Sequence, residues 1–174
     1  MAERIQPEPW LRGTLSDVPA VSRAVLHALQ LAEEDLATWC GPLSQHELNA
    51  RPSGLPSVAF QIRHIARSVD RLLSYAEGRQ LDEAQTAVMK TEMDDSAKGE
   101  EVFAELRAAF DLAARRIRAL AAEDLEAARA VGRKELPTTL GGMLVHVADH
   151  TQRHVGQAIT TAKLVHGLKM GAAE

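Results

Sequence analysis

Residues 144–157 read LVHVADHTQRHVGQ, and His146, His150 and His154 recur there every four residues. On an α-helix, residues four apart are neighbours on one face, so this spacing predicts a helix that carries the three imidazoles in a single stripe. Imidazole is the commonest metal ligand among protein side chains. The stretch therefore predicts a helix and a candidate pair of metal ligands. A histidine-rich face exposed to solvent is the alternative.

Three further amphipathic helices are predicted upstream of this one. The first opens near Ser16 and Asp17 and stops at Gly41 and Pro42, and a short helical turn follows Ser44. The second covers about 57–77, the third about 96–122, and the histidine helix begins at Thr138 or Thr139 and closes near Gly167. Their apolar residues recur at helical spacing. The predicted inward positions are Val21, Val25, Leu29, Ala32, Leu36 and Trp39; Val58, Ile62, Ile65, Val69, Leu72 and Ala76; and Phe103, Leu106, Phe110, Ala113, Ile117 and Leu120.

Four long helices predict an all-α protein with the architecture of a four-helix bundle. Aromatic residues make up only 3% of the chain, which argues against a β-sandwich. Residues 78–95 form a polar link that, if extended, reaches about 60 Å, whereas a helix of 22 residues spans about 33 Å. We therefore expect a long crossover between the second and third helices, which then run parallel.

The length of 174 residues and the 45% hydrophobic content fit one domain over 1–174, with an irregular N-terminal arm over about 1–15. The net charge is −4 and no basic run occurs, so no nucleic-acid partner is expected. No stretch approaches the roughly 18 apolar residues of a membrane span. The single cysteine and the lack of an apolar leader point to the cytoplasm. Cys40, near a helix end, is read as a packed thiol rather than a reactive one.

A metal ion needs at least one ligand besides a histidine pair, and His64 on the second helix is the candidate. It precedes the inward Ile65 and so lies at the edge of the buried stripe, where a boundary histidine is the alternative. Arg67 and Arg71 continue roughly along the same face and would meet a substrate carboxylate, although solvent-facing charges are the favoured interpretation. Gln157 lies within reach of a metal-bound molecule, or simply packs. Asp149 would either fix a ring nitrogen of a neighbouring histidine or have a surface role, which is at least as well supported.

Three segments together carry a family resemblance. They are LPSVAFQIRHI at 55–65, LGGMLVHVADH at 140–150 with its continuation HVGQ at 154–157, and LSQHEL at 43–48 followed by Arg51 and Pro52. In this order and separation they resemble the DinB/YfiT-like metalloenzyme superfamily, over roughly residues 20–165. The resemblance implies a four-helix bundle of up-down-down-up topology. It also implies a divalent metal held by His64, His150 and His154, with His146 supporting a ligand or packing.

The resemblance further implies chemistry at an open site, because three histidines leave the fourth position of a tetrahedral ion to water or substrate. Zinc and nickel are the expected metals, and the ligand set does not choose between them. The implied activity is a metal-dependent thiol S-transferase, or a related hydrolase or isomerase, using a low-molecular-weight thiol and a small-molecule substrate. No catalytic residue is assigned. The alternatives are a non-catalytic metal-binding or stress-related accessory protein and a purely structural bundle. A homodimer is expected, although no exposed stripe specifies its interface.

Overall fold

The computed structural model describes residues 6–94 and 96–171, and the side chains up to residue 167. In chain order the helices and strands are α1 (Ala20–Cys40), α2 (Gln45–Asn49), α3 (Val58–Ala76), α4 (Glu83–Met89), α5 (Gly99–Leu120), β1 (Ala128–Val131), β2 (Leu136–Thr139) and α6 (Leu140–Gly171). Short 3₁₀ turns cover Pro9–Leu11 and Pro52–Gly54. The described chain is thus mainly helical, as predicted.

The four long helices, α1, α3, α5 and α6, share one hydrophobic core. Both α1 and α3 pack against α6 and against α5. The predicted stripes of α3 and α5 are buried apart from the half-buried Leu72 and Phe103. The prediction that Trp39 faces inward is wrong, because 47% of this residue is exposed. The ammonium group of Lys163 lies over its ring, 4.1 Å from the centroid.

The predicted starts of α1 and α5 are both too early. Pro19 has an extended conformation, with ψ of 150°, and the helix begins only at Ala20. Lys98 is extended as well, with ψ of 138°, so α5 begins at Gly99 rather than near Ser96. By contrast, the turn predicted after Ser44 is confirmed, since Ser44 and Glu47 form a capping box at the start of α2.

Of the predicted N-terminal arm, residues 1–5 lie outside the described residues. Its described part packs on α1. Arg12 donates to both carboxylate oxygens of Glu34, at 2.7 Å each, which ties the arm to the middle of that helix. A bidentate pair of this kind fixes orientation as well as position.

A small antiparallel sheet departs from the all-α prediction. Strands β1 and β2 pair directly, with Ala128 opposite Thr139. Gly132 and Glu135 make the turn, with φ of 71° and 49°. Thr138 and Thr139 belong to β2, so the prediction that α6 begins at one of them is wrong. Pairing with β1 keeps these two threonines in a strand, and the helix begins after them.

The predicted crossover contains a helix that the sequence reading missed. Asp82 and Gln85 form a capping box at the start of α4. The side chain of Gln85 then donates to Asp70 at 2.6 Å and to Ser74 at 2.8 Å, both on α3. The link is therefore docked on α3 and is not an extended chain. Among the described helices, none combines the length and apolar character needed to cross a membrane.

The stability of the protein is expected to fall on acidification through an ion-pair cluster between α3 and α5. Burial alone would raise the pKa of Glu77, but hydrogen bonds and charges from Arg116 and Arg79 outweigh it and hold that pKa below its ordinary value. The contribution of Glu77 is thus fully present above its unfolded pKa of about 4.3 and is lost as the pH falls through its lower folded pKa. Urea denaturation at several pH values measures this loss.

Glu77→Gln is expected to lower the free energy of unfolding by about 1 kcal/mol at neutral pH and to flatten its decline below pH of about 4. The exposed Glu126 supplies the matched control, as Glu126→Gln. Equal acid dependence in wild type and Glu77→Gln would contradict the prediction.

Candidate metal centre

Two helices bring the three predicted ligands together. His64 lies on α3, and His150 and His154 lie one turn apart on α6. Each offers one nitrogen within 4.8 Å of the others. The ring centroids of His64 and His154 are 4.3 Å apart, and those of His150 and His154 are 4.5 Å apart. Tetrahedral zinc, with Zn–N bonds of about 2.0 Å, separates its ligand nitrogens by about 3.3 Å. A contraction of about 1.5 Å at most is thus needed to meet that spacing.

His64 is held by a carboxylate from the crossover. Its Nδ1 lies 2.8 Å from Oε2 of Glu92. Because an ionised carboxylate can only accept, Nδ1 carries the proton and donates. Burial alone would raise the pKa of Glu92, but the hydrogen bonds from His64 and Arg71 outweigh it and lower that pKa. Phe60 stacks on the ring of His64, with centroids 5.5 Å apart. The Nε2 atom of His64 is thus left available to a metal ion.

The two histidines of α6 are held from α3 in the same way. Nδ1 of His154 lies 2.7 Å from Oε1 of Gln61, which can only accept, so Nδ1 donates. The hydroxyl of Ser68 donates to the Ile65 carbonyl and lies 3.4 Å from Nδ1 of His150, where it accepts. Each imidazole therefore has its Nδ1 engaged, which leaves the three Nε2 atoms available to a metal ion. Such partners are characteristic of metal-binding histidines.

The electrostatics of the two α6 histidines favour neutral rings. Burial, reinforced by the neighbouring His154 and His64, lowers the pKa of His150 to about 4. Burial also lowers the pKa of His154, which His64 and Arg153 reinforce, while a hydrogen bond with Gln157 opposes the shift. Neutral imidazole is the form that binds a metal ion. The donor set thus fits a divalent transition metal.

His146 lies outside the trio. Its ring centroid is 5.5 Å from that of His150, but its side chain is 44% exposed. Its Nδ1 is 3.8 Å from Asp149, whose carboxylate accepts from Arg153 at 2.6 Å. Asp149 accordingly has the surface role that was one of its two interpretations.

The favoured interpretation of Arg67 and Arg71, as charges that face solvent, is wrong. Their side chains are only 13% and 12% exposed, so they do not face solvent. Arg67 donates to Glu105, and Arg71 donates to Glu92 at 2.7 Å. Their guanidinium groups are thus engaged within the protein, and their contact with a substrate carboxylate stays a prediction.

Sequence reasoning missed Glu92 and Gln61 as members of the site. Glu92 lies in the crossover, where no periodicity relates it to His64. Gln61 is 2% exposed and precedes His64 by three residues, close to one helical turn. A fully polar side chain on the buried face of a helix is the signal that points to it.

A cleft of about 430 Å³ adjoins the trio. It shares Gln61 and Gln157 with the surroundings of His154. The remaining wall contains the cation of Arg153 and the hydroxyls of Thr160 and Thr161, beside the apolar Leu55 and Pro56. The cleft therefore suits a small molecule with polar and apolar parts.

Cys40 is unsuited to reactive chemistry, as predicted, since its thiol is buried and burial raises the pKa of that thiol to about 12.

Helical packing and three clustered histidines define a class, that of helical proteins with a candidate three-histidine metal centre. A family model of the DinB superfamily matches residues 28–158 of the chain. The chain belongs to the DinB superfamily, which confirms the resemblance seen in the sequence. No curated protein matches it. Family membership and the histidine cluster are both compatible with metal binding.

Proposed function

We propose that the chain binds one divalent transition metal ion, zinc or nickel, through Nε2 of His64, His150 and His154. The observation that carries this proposal is the shared arrangement of the three rings. Each has a hydrogen-bonded Nδ1, and one nitrogen of each lies within 4.8 Å of the others. Three imidazoles oriented in this way would need only a small rearrangement to hold the ion.

We propose further that the site is catalytic and that its reaction is thiol transfer, or a related hydrolysis or isomerisation. A divalent ion at such a site leaves a position open and lowers the pKa of a bound thiol, so that thiolate is present near neutral pH. The cleft beside His154 would bind the small-molecule substrate. Arg153 in its wall would attract an anionic group, and Gln61 and Gln157 would orient polar groups near the trio.

One observation favours the alternative of a non-catalytic metal-binding or accessory protein. The carboxylate that contacts the trio, Glu92, is already bonded to His64 and Arg71, and Asp149 is bonded to Arg153. Neither is placed to take a proton from a substrate. Thiol transfer is still the better-supported reaction, because a thiol whose pKa is lowered by the ion needs no strong general base.

The test is turnover of a panel of low-molecular-weight thiols with electrophiles, measured as loss of free thiol. Protein loaded with zinc or nickel is expected to turn over, whereas metal-free protein and His64→Ala are expected to be inactive. His46 on α2 is exposed, so His46→Ala is the matched control and keeps wild-type activity. A fully loaded wild type that consumes no thiol with any electrophile would contradict the proposal of thiol transfer.

We also propose the up-down-down-up bundle for the four long helices, in one domain that forms a homodimer. The order of contacts supports the topology, because contacts ascend together along α1 and α6 and along α3 and α5 but run oppositely along α3 and α6. The contacting pairs are Ala28 with Gln152, Trp39 with Lys163, Arg67 with Glu105, Glu77 with Arg116, Gln61 with His154, and Ser68 with His150.

A further inference from the structure

Glu92 is a buried carboxylate on a non-helical part of the chain. It follows α4 in the crossover and is 7% exposed. A carboxylate is costly to bury unless it is paired and hydrogen-bonded. Glu92 is both, because Oε1 accepts from Nη1 of Arg71 at 2.7 Å and Oε2 accepts from Nδ1 of His64 at 2.8 Å. Arg71 thus balances the charge of the carboxylate through Oε1, and Oε2 is engaged by the imidazole of His64.

The segment that carries Glu92 is fixed to the helices by arginines. Four of them donate to residues 88–94 from the loop before α3 and from α3 itself. The contacts are Arg51 to the Met93 carbonyl, Arg63 to the Asp94 carbonyl, Arg67 to the Val88 carbonyl and the Thr91 hydroxyl, and Arg71 to Glu92. On α3, Arg63, Arg67 and Arg71 recur every four residues and so form one row. The carboxylate is therefore held in place from several sides.

We propose that Glu92 is a positioning residue of the metal centre, which fixes His64 in the tautomer with Nδ1 protonated and Nε2 available as the ligand. The crossover segment 88–94 is then part of the site, although it supplies no ligand. The effect of Glu92 on metal affinity rests on the proposed function. Its effect on the His64 tautomer does not, because the hydrogen bond is present without metal.

A purely structural role for Glu92 makes a different prediction. A carboxylate that served only to pair with Arg71 would affect stability and leave the His64 tautomer unchanged. The pair formed by Arg67 and Glu105 supplies the comparison, since it joins the same arginine row to α5 and makes no hydrogen bond to a histidine among the described residues. Glu105→Ala is therefore the matched control for Glu92→Ala.

The experiment measures two quantities for wild type, Glu92→Ala, Glu92→Gln and Glu105→Ala. The first is the zinc dissociation constant, by competition with a chelator. The second is the His64 tautomer in metal-free protein, from ring ¹⁵N shifts. Glu92→Ala is expected to bind zinc about 10- to 100-fold more weakly and to lose the preference for protonated Nδ1. Glu105→Ala is expected to match wild type in both. Glu92→Gln keeps an acceptor, so it should restore the tautomer and part of the affinity.

An unchanged His64 tautomer in Glu92→Ala would overturn the proposal, whether or not the affinity falls. So would a zinc affinity equal to that of Glu105→Ala. Should Glu92→Ala fail to fold, Glu92→Gln decides: a loss of about three- to tenfold supports the proposal, because a neutral amide is a weaker acceptor, and no loss overturns it. If wild type binds no zinc, the proposed function fails, and the tautomer measurement still decides the role of Glu92.

Discussion

Replacing His150 with alanine is expected to weaken zinc binding by at least about 100-fold, more than the loss of an outer partner of a ligand costs. The substitution removes one of three nitrogens and leaves His64 and His154 as a two-ligand set. The substituted side chain is only partly buried, so the helix is expected to survive. Isothermal titration, or competition with a chelator for tighter binding, measures the change.

His146→Ala is the control, because His146 lies one turn away on the same helix and is exposed. It is expected to keep one equivalent of zinc at wild-type affinity. The two variants lose the same side chain from the same helix, so their difference isolates membership of the trio. Equal losses in both variants, or a larger loss in His146→Ala, would contradict the ligand assignment.

Replacing Ile62 with alanine is expected to lower the free energy of unfolding by about 2–5 kcal/mol. Ile62 lies on α3 between Gln61 and His64 and is fully buried in the core. Truncating it removes apolar contacts and leaves a cavity that neighbouring helices fill only in part. Urea denaturation of metal-free protein measures the change without a contribution from ligand binding.

The same position supplies a graded series, because Ile62→Val removes one methylene and is expected to cost about 0.5–1.5 kcal/mol. Leu112→Ala on α5 controls for loss of a large apolar side chain at a site that is 42% exposed. It is expected to change stability by less than about 0.5 kcal/mol. A cost for Ile62→Ala no greater than that for Leu112→Ala would show that α3 does not pack as described.

The long helices were predictable because their burial repeats at the helical period. On α3, Val58, Ile62, Ile65 and Val69 recur at three and four residues and are all buried. The hairpin was not predictable in this way. Its strands are short, ARAV and LPTT, and their residues have little strand preference beyond Val131 and the threonines. Their pairing depends on a turn in which Gly132 and Glu135 have a left-handed backbone conformation. The spacing of hydrophobic residues does not predict such a turn.

The candidate site, like the fold, was predictable only where its residues recur at helical spacing or match the family pattern. Helical spacing places His146, His150 and His154 on one face, His64 is the candidate from the second helix, and the family resemblance selects His64, His150 and His154. The residues that orient the rings escaped prediction because their contacts are distant in sequence: Glu92 reaches His64 across 28 positions and Gln61 reaches His154 across 93. Arg67 and Arg71 were misread for a related reason. Their partners lie on α5 and in the crossover, and a single helix does not show what packs against it.

The most direct test of the metal centre is a crystal structure of zinc-loaded protein with anomalous scattering measured on both sides of the zinc absorption edge. We expect one anomalous peak, bonded to Nε2 of His64, His150 and His154 at about 2.0–2.1 Å. Nδ1 of His64 should remain bonded to Glu92. A crystal with no zinc peak at the trio, or with zinc bound by His146 in place of His64, would contradict the account.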